Sequence, residues 1–334
     1  MIRRFLALFE PFILMLLGTV FLATLLPARG GMATMVAWAA DIGIVLLFFL
    51  HGAKLSRDAI WEGARNWRLH LTVLAVSFGL FPILGLGLRA LPGIDSAVAA
   101  GLLFLTLLPS TVQSSIAFTA IARGNVAAAV CSASFSNLLG IVLTPALVAL
   151  LMPGAGAGHG ISTSAVEAIV LQLLVPFVAG HLLRPWIGGF VVRRKQWLTI
   201  VDRGSILLVV YSAFGAAVVE GLWTRVSPAD LGVIAVLCTA LLAVVLGVTL
   251  VLGRAMGLSR EDAIVLQFCG SKKSLASGVP MAGVLFPAAQ VGVILLPVML
   301  FHQIQLVACA VIARRYADRA ARADLAVEAV APVA

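Results

Sequence analysis

The chain has 334 residues, 62% of them hydrophobic and only 11% charged, with a mean hydropathy of +1.11 and a formal net charge of +9. A soluble domain of this size could not hide so much apolar surface, so the globular classes are excluded and a polytopic membrane protein remains. The positive charges fall in short loops between apolar blocks, where orientation signals belong, which argues against a nucleic-acid partner.

In chain order, the opening MIRRFLALFEPFILMLLGTVFLATLLP places Arg3 and Arg4 before a long apolar run that lacks a small-x-small cleavage motif. It reads as a retained first helix rather than a signal peptide. Windows of about 20 apolar residues, bounded by charges or by Pro and Gly, then predict ten membrane spans. Their limits are 9–27, 33–52, 70–91, 97–121, 125–152, 163–185, 201–221, 229–253, 262–285 and 289–313. With the N-terminus in the cytoplasm, eighteen of the 23 Lys and Arg residues fall on the inside and three, Arg29, Arg89 and Arg225, on the outside. That bias predicts both termini in the cytoplasm.

The Gly-rich stretch PGAGAGHGIS, 153–162, divides these spans five and five. An odd number per half forces the second half to run opposite to the first, the pattern of an inverted repeat. The domains expected are therefore 1–152, a linker at 153–162, an inverted repeat at 163–315 and a cytoplasmic tail at 316–334, frayed or forming a short surface helix. Four cysteines, Cys131, Cys238, Cys269 and Cys309, lie in apolar stretches without paired spacing and read as small core residues.

Two spans carry polar residues where lipid tolerates them least, and they hold corresponding places in the two halves. The fourth reads LTLLPSTVQSSIAFTAIARGN from Leu105 to Asn125, and the ninth IVLQFCGSKKSLASGVPMAG from Ile264 to Gly283. Pro109 removes a backbone donor and opens the helix ladder, and Ser110, Thr111, Gln113, Ser114 and Ser115 follow it. Carbonyls freed there must face protein, water or a solute; the plainer alternative is a kink whose serines bond back to their own helix. In the ninth span Gly270, Gly278 and Pro280 mark the expected break around Ser271, Lys272, Lys273 and Ser274. Adjacent lysines point about 100° apart on a helix, so one is expected in a central cavity and the other against a second polar contact. The alternative is that both snorkel to the membrane edge.

The fifth span adds Ser132, Ser134, Ser136, Asn137 and Thr144, and the tenth adds His302, Gln303 and Gln305. Ser134 and Asn137 share a helix face, and His302 could titrate near neutral pH. Neither broken motif contains a carboxylate; Asp41, in the second span, is the sole mid-membrane acid that could couple an ion. Walker, nucleophile-elbow and metal-ligand patterns are missing from the sequence, which points away from an enzyme, a cofactor or a metal centre.

The segments LPSTVQSSIAFTAIARGNVAAAV (Leu108 to Val130) and QFCGSKKSLASGVPMAG (Gln267 to Gly283) resemble the bile acid:sodium symporter family, specifically its sodium/bile acid cotransporter 7-like branch. The resemblance implies ten helices in two inverted five-helix repeats, an all-α fold. Spans one, two, six and seven would form a panel and the other six a core, with unwound spans four and nine crossing in an alternating-access carrier. It also implies two sodium ions behind that crossing. Aligned on Leu275, Gln267 falls at a sodium-binding glutamate, Ser271 at a glutamine and Lys272 at an asparagine. Ser114 and Ser115 fall at a serine-asparagine pair, and Ala129 and Ala133 fall where hydroxyl ligands are expected. A fixed ammonium repels the ion it replaces, so the expectation is a small-organic-anion carrier without the usual sodium site. The expected partners are a small anion and the bilayer, by the resemblance that of a bacterial inner membrane, with the protein a monomer or homodimer. The alternatives are coupling to sodium or protons through Gln267, Ser134, Asp41, His302 or backbone carbonyls, and a sensor of transporter-like fold without net flux.

Overall fold

A computed structural model describes residues 11–54, 66–152, 167 and 170–330. The expected linker at 153–162, with Arg3, Arg4, Arg57 and Arg65, lies outside them. Among the described residues all regular structure is helical: α1 (Pro11–Leu25), α2 (Gly31–Lys54), α3 (Trp67–Arg89), α4 (Ser96–Leu107), α5 (Gln113–Ile121) and α6 (Val126–Leu151) come first. Then follow α7 (a π-helical turn at Val170–Leu174 continuing as Val175–Arg193), α8 (Lys195–Val219), the short α9 (Leu222–Arg225), α10 (Pro228–Ala255), α11 (Arg260–Gly270), α12 (Leu275–Leu285) and α13 (Ala288–Val330). Among the described residues seven helices, α2, α3, α6, α7, α8, α10 and α13, are long and apolar enough to cross a membrane.

The apolar surface faces outward as well as inward. Phe21, Trp38, Ile42, Leu150, Trp186 and Val236 are all exposed, an arrangement that is costly in water and neutral in hydrocarbon. The chain is an integral membrane protein.

The expected fourth and ninth spans are each two half-helices. α4 stops at Leu107 and α5 starts at Gln113; α11 stops at Gly270 and α12 starts at Leu275. Gly270 sits at the break as anticipated, but Gly278 and Pro280 lie inside α12. A Cβ on Gly278 would come within 2.5 Å of Leu108 Cδ1, so that glycine serves close approach to the first break rather than unwinding. Two other boundaries differ from expectation. Only Arg194 separates α7 from α8, where a basic loop was expected, and α13 runs without interruption through the expected tail to Val330. Arg, Lys and Ala are good helix formers, and charged side chains at a span's edge need not end its helix.

Polar contacts fix the two ends of the bundle. At one end Asp262 accepts from Asn66 Nδ2 at 3.0 Å and Asn125 Nδ2 at 2.9 Å, tying together the starts of α3, α6 and α11. Lys54 pairs with Asp202 at the same end, joining α2 to α8. At the other, Arg89 donates to Leu151 O at 2.7 Å and Tyr211 to Leu26 O at 2.7 Å. Arg68, Arg123, Arg254 and Arg260 all flank the end that holds Asp262. Helix α2 packs chiefly on α7 and α8, and α1 on α8, while α3 to α6 and α10 to α13 pack among themselves. Helix α8 joins the two groups through α12 and α13.

Candidate functional site

The two breaks meet. Ser274 N donates to Pro109 O at 2.8 Å, and Ser110 Oγ to Cys269 O at 2.6 Å, so each break supplies partners for the other. In hydrocarbon every freed backbone group must be satisfied by protein or solute, and here the carbonyls from Leu105 to Ser110 all have protein partners. Leu105 O accepts from Leu108 N, Thr106 O and Leu108 O from Lys273 Nζ, and Leu107 O from Thr144 Oγ1. Pro109 O accepts from Ser274 N, as above, and Ser110 O from Asn137 Nδ2 at 2.7 Å. Across the second break, Gln305 holds both the N–H and the carbonyl of Lys273 at 2.9 Å, and His302 Nδ1 lies 2.8 Å from Gln305 Nε2. Asn137 accepts from Ser277 Oγ at 2.8 Å and so spans both breaks.

Both lysines are buried, and neither lines the cavity described below, where one of them was expected. Lys273 reaches backward to three carbonyls: Ser77 at 2.8 Å, Thr106 at 2.9 Å and Leu108 at 2.7 Å. Lys272 Nζ lies 4.0 Å from the Phe118 ring centroid and 5.4 Å from that of Phe268, and among the described residues no atom accepts a hydrogen bond from it. The two ammonium groups point opposite ways because adjacent residues diverge sharply in direction, and the carbonyls that need donors lie on Lys273's side.

A cavity of about 280 Å³ lies beside the breaks. Thr111, Val112, Gln113 and Ser114 line it from the start of α5, Ser274, Leu275, Ala276 and Ser277 from the start of α12, Ser134 and Asn137 from α6, and His302 from α13. Ser110, Ser115 and Ser271 are buried behind it, holding Cys269 O, Phe268 O and Gln267 O respectively. Gln267 is engaged by the Tyr316 hydroxyl. Asp41 is exposed on α2 and does not line the cavity.

The far wall was not anticipated. His51 and Lys54 of α2 and Thr199, Asp202 and Arg203 of α8 face the breaks across a band of Phe12, Phe48, Phe177, Ile206 and Met281. Lys54 and Asp202 pair across this wall, and the Arg203 guanidinium lies 5.4 Å from the Phe12 ring. A signal existed in the sequence, since Asp202 and Arg203 interrupt an apolar stretch, but their facing Lys54 is a tertiary fact.

Comparison with known proteins agrees with this architecture. The model of the SBF-like CPA transporter family matches residues 10–318. An uncharacterized protein of Pseudomonas aeruginosa is 57% identical over 312 residues, 93% of each chain. YfeH of Escherichia coli, named as a candidate symporter, is 52% identical over 309 residues, 92% of each chain. Sodium/bile acid cotransporter 7 of Rattus norvegicus is 26% identical over 278 residues, 79% of each chain. The resemblance expected from the two polar motifs is therefore borne out, and the chain belongs to the SBF-like CPA transporter family, a family of membrane transporters.

Proposed function

We propose that the protein is a secondary active carrier of a small organic anion, working by alternating access and without a sodium site. The observation that carries this reading is that two half-helix N-termini, those of α5 and α12, open onto one cavity inside an apolar bundle. A helix N-terminus presents unbonded N–H groups and a partial positive charge, which together favour an anion. Val112 at the start of α5 supplies no side-chain cap, so those N–H groups are available to a solute. The cavity lies near the lower end of the roughly 300–1,000 Å³ of small-molecule sites. Its wall is polar at both poles and apolar between them, which suits an anion with an apolar body. Thr111, Gln113, Ser114, Ser134, Asn137, Ser274 and His302 would orient it.

The transport mechanism rests on ten crossings in two inverted repeats, with α1, α2, α7 and α8 as panel and the remaining helices as core. Support comes from packing that recurs in corresponding pairs. Helix α3 packs on α4 as α10 does on α11; α4 packs on α13 as α11 does on α6; and α2 packs on α7 as α8 does on α1. With the cationic end in the cytoplasm, the cavity lies on the cytoplasmic side of the crossing. Movement of core against panel would then present it to the other face.

Sodium does not suit the residues present. Gln267 is occupied by Tyr316, Ser271 Oγ and Ser115 Oγ are spent on backbone carbonyls, and Ala129 and Ala133 offer no oxygen. The ammonium of Lys272 stands among them, and its charge opposes a second cation. Coupling through Asp41 has no support in its exposed position on α2.

Uptake of radiolabelled small carboxylates and sulfonates into phosphatidylethanolamine and phosphatidylglycerol vesicles tests the proposal. Protein-dependent uptake of at least one is expected; binding without uptake would indicate a sensor instead. Gln113→Ala is expected to raise KM roughly tenfold with little change in kcat, because a hydrogen bond to the anion worth about 1.4 kcal/mol is lost from the cavity wall. An unchanged KM would remove Gln113 from the site.

A further inference from the structure

The surroundings of Lys273 are more specific than a lysine needs. Three backbone carbonyls converge on its Nζ from separate places, Ser77 in α3 and Thr106 and Leu108 at the end of α4, all within 2.7–2.9 Å. Each is free for a structural reason. The π-helical turn Val76–Leu80 in α3 spaces its ladder one residue wider and leaves a carbonyl without its usual partner. The end of α4 leaves its last carbonyls without intrahelical donors and carries a partial negative charge. The Phe81 ring centroid lies 4.1 Å from Nζ and that of Phe78 5.8 Å, so aromatic faces close the remaining sides. Ser77 Oγ, buried in the same turn, has no hydrogen-bond partner among the described residues. Converging backbone carbonyls with no carboxylate are a ligand set that replaces the water shell of a monovalent cation.

We infer that Lys273 is the tethered occupant of a monovalent-cation cage built from the carbonyls of Ser77, Thr106 and Leu108, and that this cage takes a free monovalent cation once the tether is cut. The cage is distinct from the anion cavity, which Lys273 does not line. Its resident ammonium has three N–H groups for three oxygens, so the intact protein needs no soluble cation to complete the first break. Lys272 gives an internal contrast: it is equally buried and adjacent in sequence, but among the described residues no carbonyl converges on it.

Thermal unfolding of purified Lys273→Ala in detergent, in ammonium, methylammonium, sodium or potassium chloride and with choline chloride as the ionic-strength control, tests the inference. Ammonium or methylammonium, and whichever alkali ion fits the cage, is expected to raise the midpoint of Lys273→Ala. The same salts should not raise that of the wild type or of Lys273→Met, whose side chain fills the space without donors. A response shared equally by all three proteins, or by none, overturns the inference. Should Lys273→Ala yield no folded protein, the wild type decides: its midpoint is expected to be the same in sodium, potassium and choline chloride. A specific alkali-ion stabilisation of the wild type would mean that a soluble cation still completes the structure. Neither arm uses transport, so a silent uptake assay would sink the carrier reading and leave this inference standing.

Discussion

Lys273→Met is expected to cost roughly 3–5 kcal/mol of stability and to abolish uptake, because removing the ammonium strands the three buried carbonyls that it satisfies. Methionine keeps the lysine stem as far as Cε and lacks only the ammonium, so packing is nearly kept and the loss isolates the charged group. Each of the three orphaned carbonyls then costs about 1–3 kcal/mol, partly recovered by local relaxation. Against the 5–15 kcal/mol typical of a folded domain, this is enough to reduce the yield of folded protein. Function should suffer before folding does. Thr106 and Leu108 bracket the end of α4, and Pro109 and Ser110, next along the chain, hold Ser274 and Cys269 across the crossing. Thermal midpoint and initial uptake rate, measured together, check the prediction; a variant with wild-type values for both would show that the cradle is dispensable. Lys272→Met is expected to be milder, since it orphans no hydrogen-bond partner among the described residues.

The second large effect lies in the wall opposite the crossing. Gly52 and Gly180 are the contact points of α2 with α7: a Cβ on Gly52 would lie 2.0 Å from Phe177 O, and one on Gly180 1.9 Å from Phe49 O. Both obstacles are backbone, so no rotamer change relieves them and the helices must move apart. Small residues at such crossings let membrane helices approach closely and gain their packing energy. Gly180→Ala is therefore expected to cost roughly 3 kcal/mol. It should also widen the cavity between Phe48 and His51 on α2 and Phe177 on α7, lowering apparent affinity for the transported anion. Gly247→Ala, where nothing lies within 4 Å of the added atom, is the control and should behave as wild type. Equal midpoints for the two variants would contradict the packing argument.

Much of this architecture was legible in the residues. Pro109 among hydroxyls and two lysines between glycines announced helix interruptions at mid-membrane, and the helices stop at Leu107 and Gly270. The membrane class followed from composition, and the four cysteines are free and buried as expected. What the sequence withheld was direction. It could not show that Lys273 turns away from the cavity, because the carbonyls that attract it are exposed by a π-helical turn in α3 whose residues, Val76–Leu80, look like an ordinary apolar helix. Nor could it show that Lys54 meets Asp202, 148 residues away, to form the far wall. Gly278 was misread for a related reason: a glycine that permits close approach and one that ends a helix look alike until the neighbour, Leu108, is known.

If the two opposed half-helix pairs close upon the Lys273 ammonium in place of a coupling cation, as proposed, transport needs no sodium. The most direct test is initial uptake of the labelled carboxylate and sulfonate panel into proteoliposomes prepared with choline replacing every sodium ion. The same protein-dependent rate is expected in choline as in sodium, whereas a rate that falls to the protein-free background in choline and returns on adding sodium would contradict sodium-independent transport.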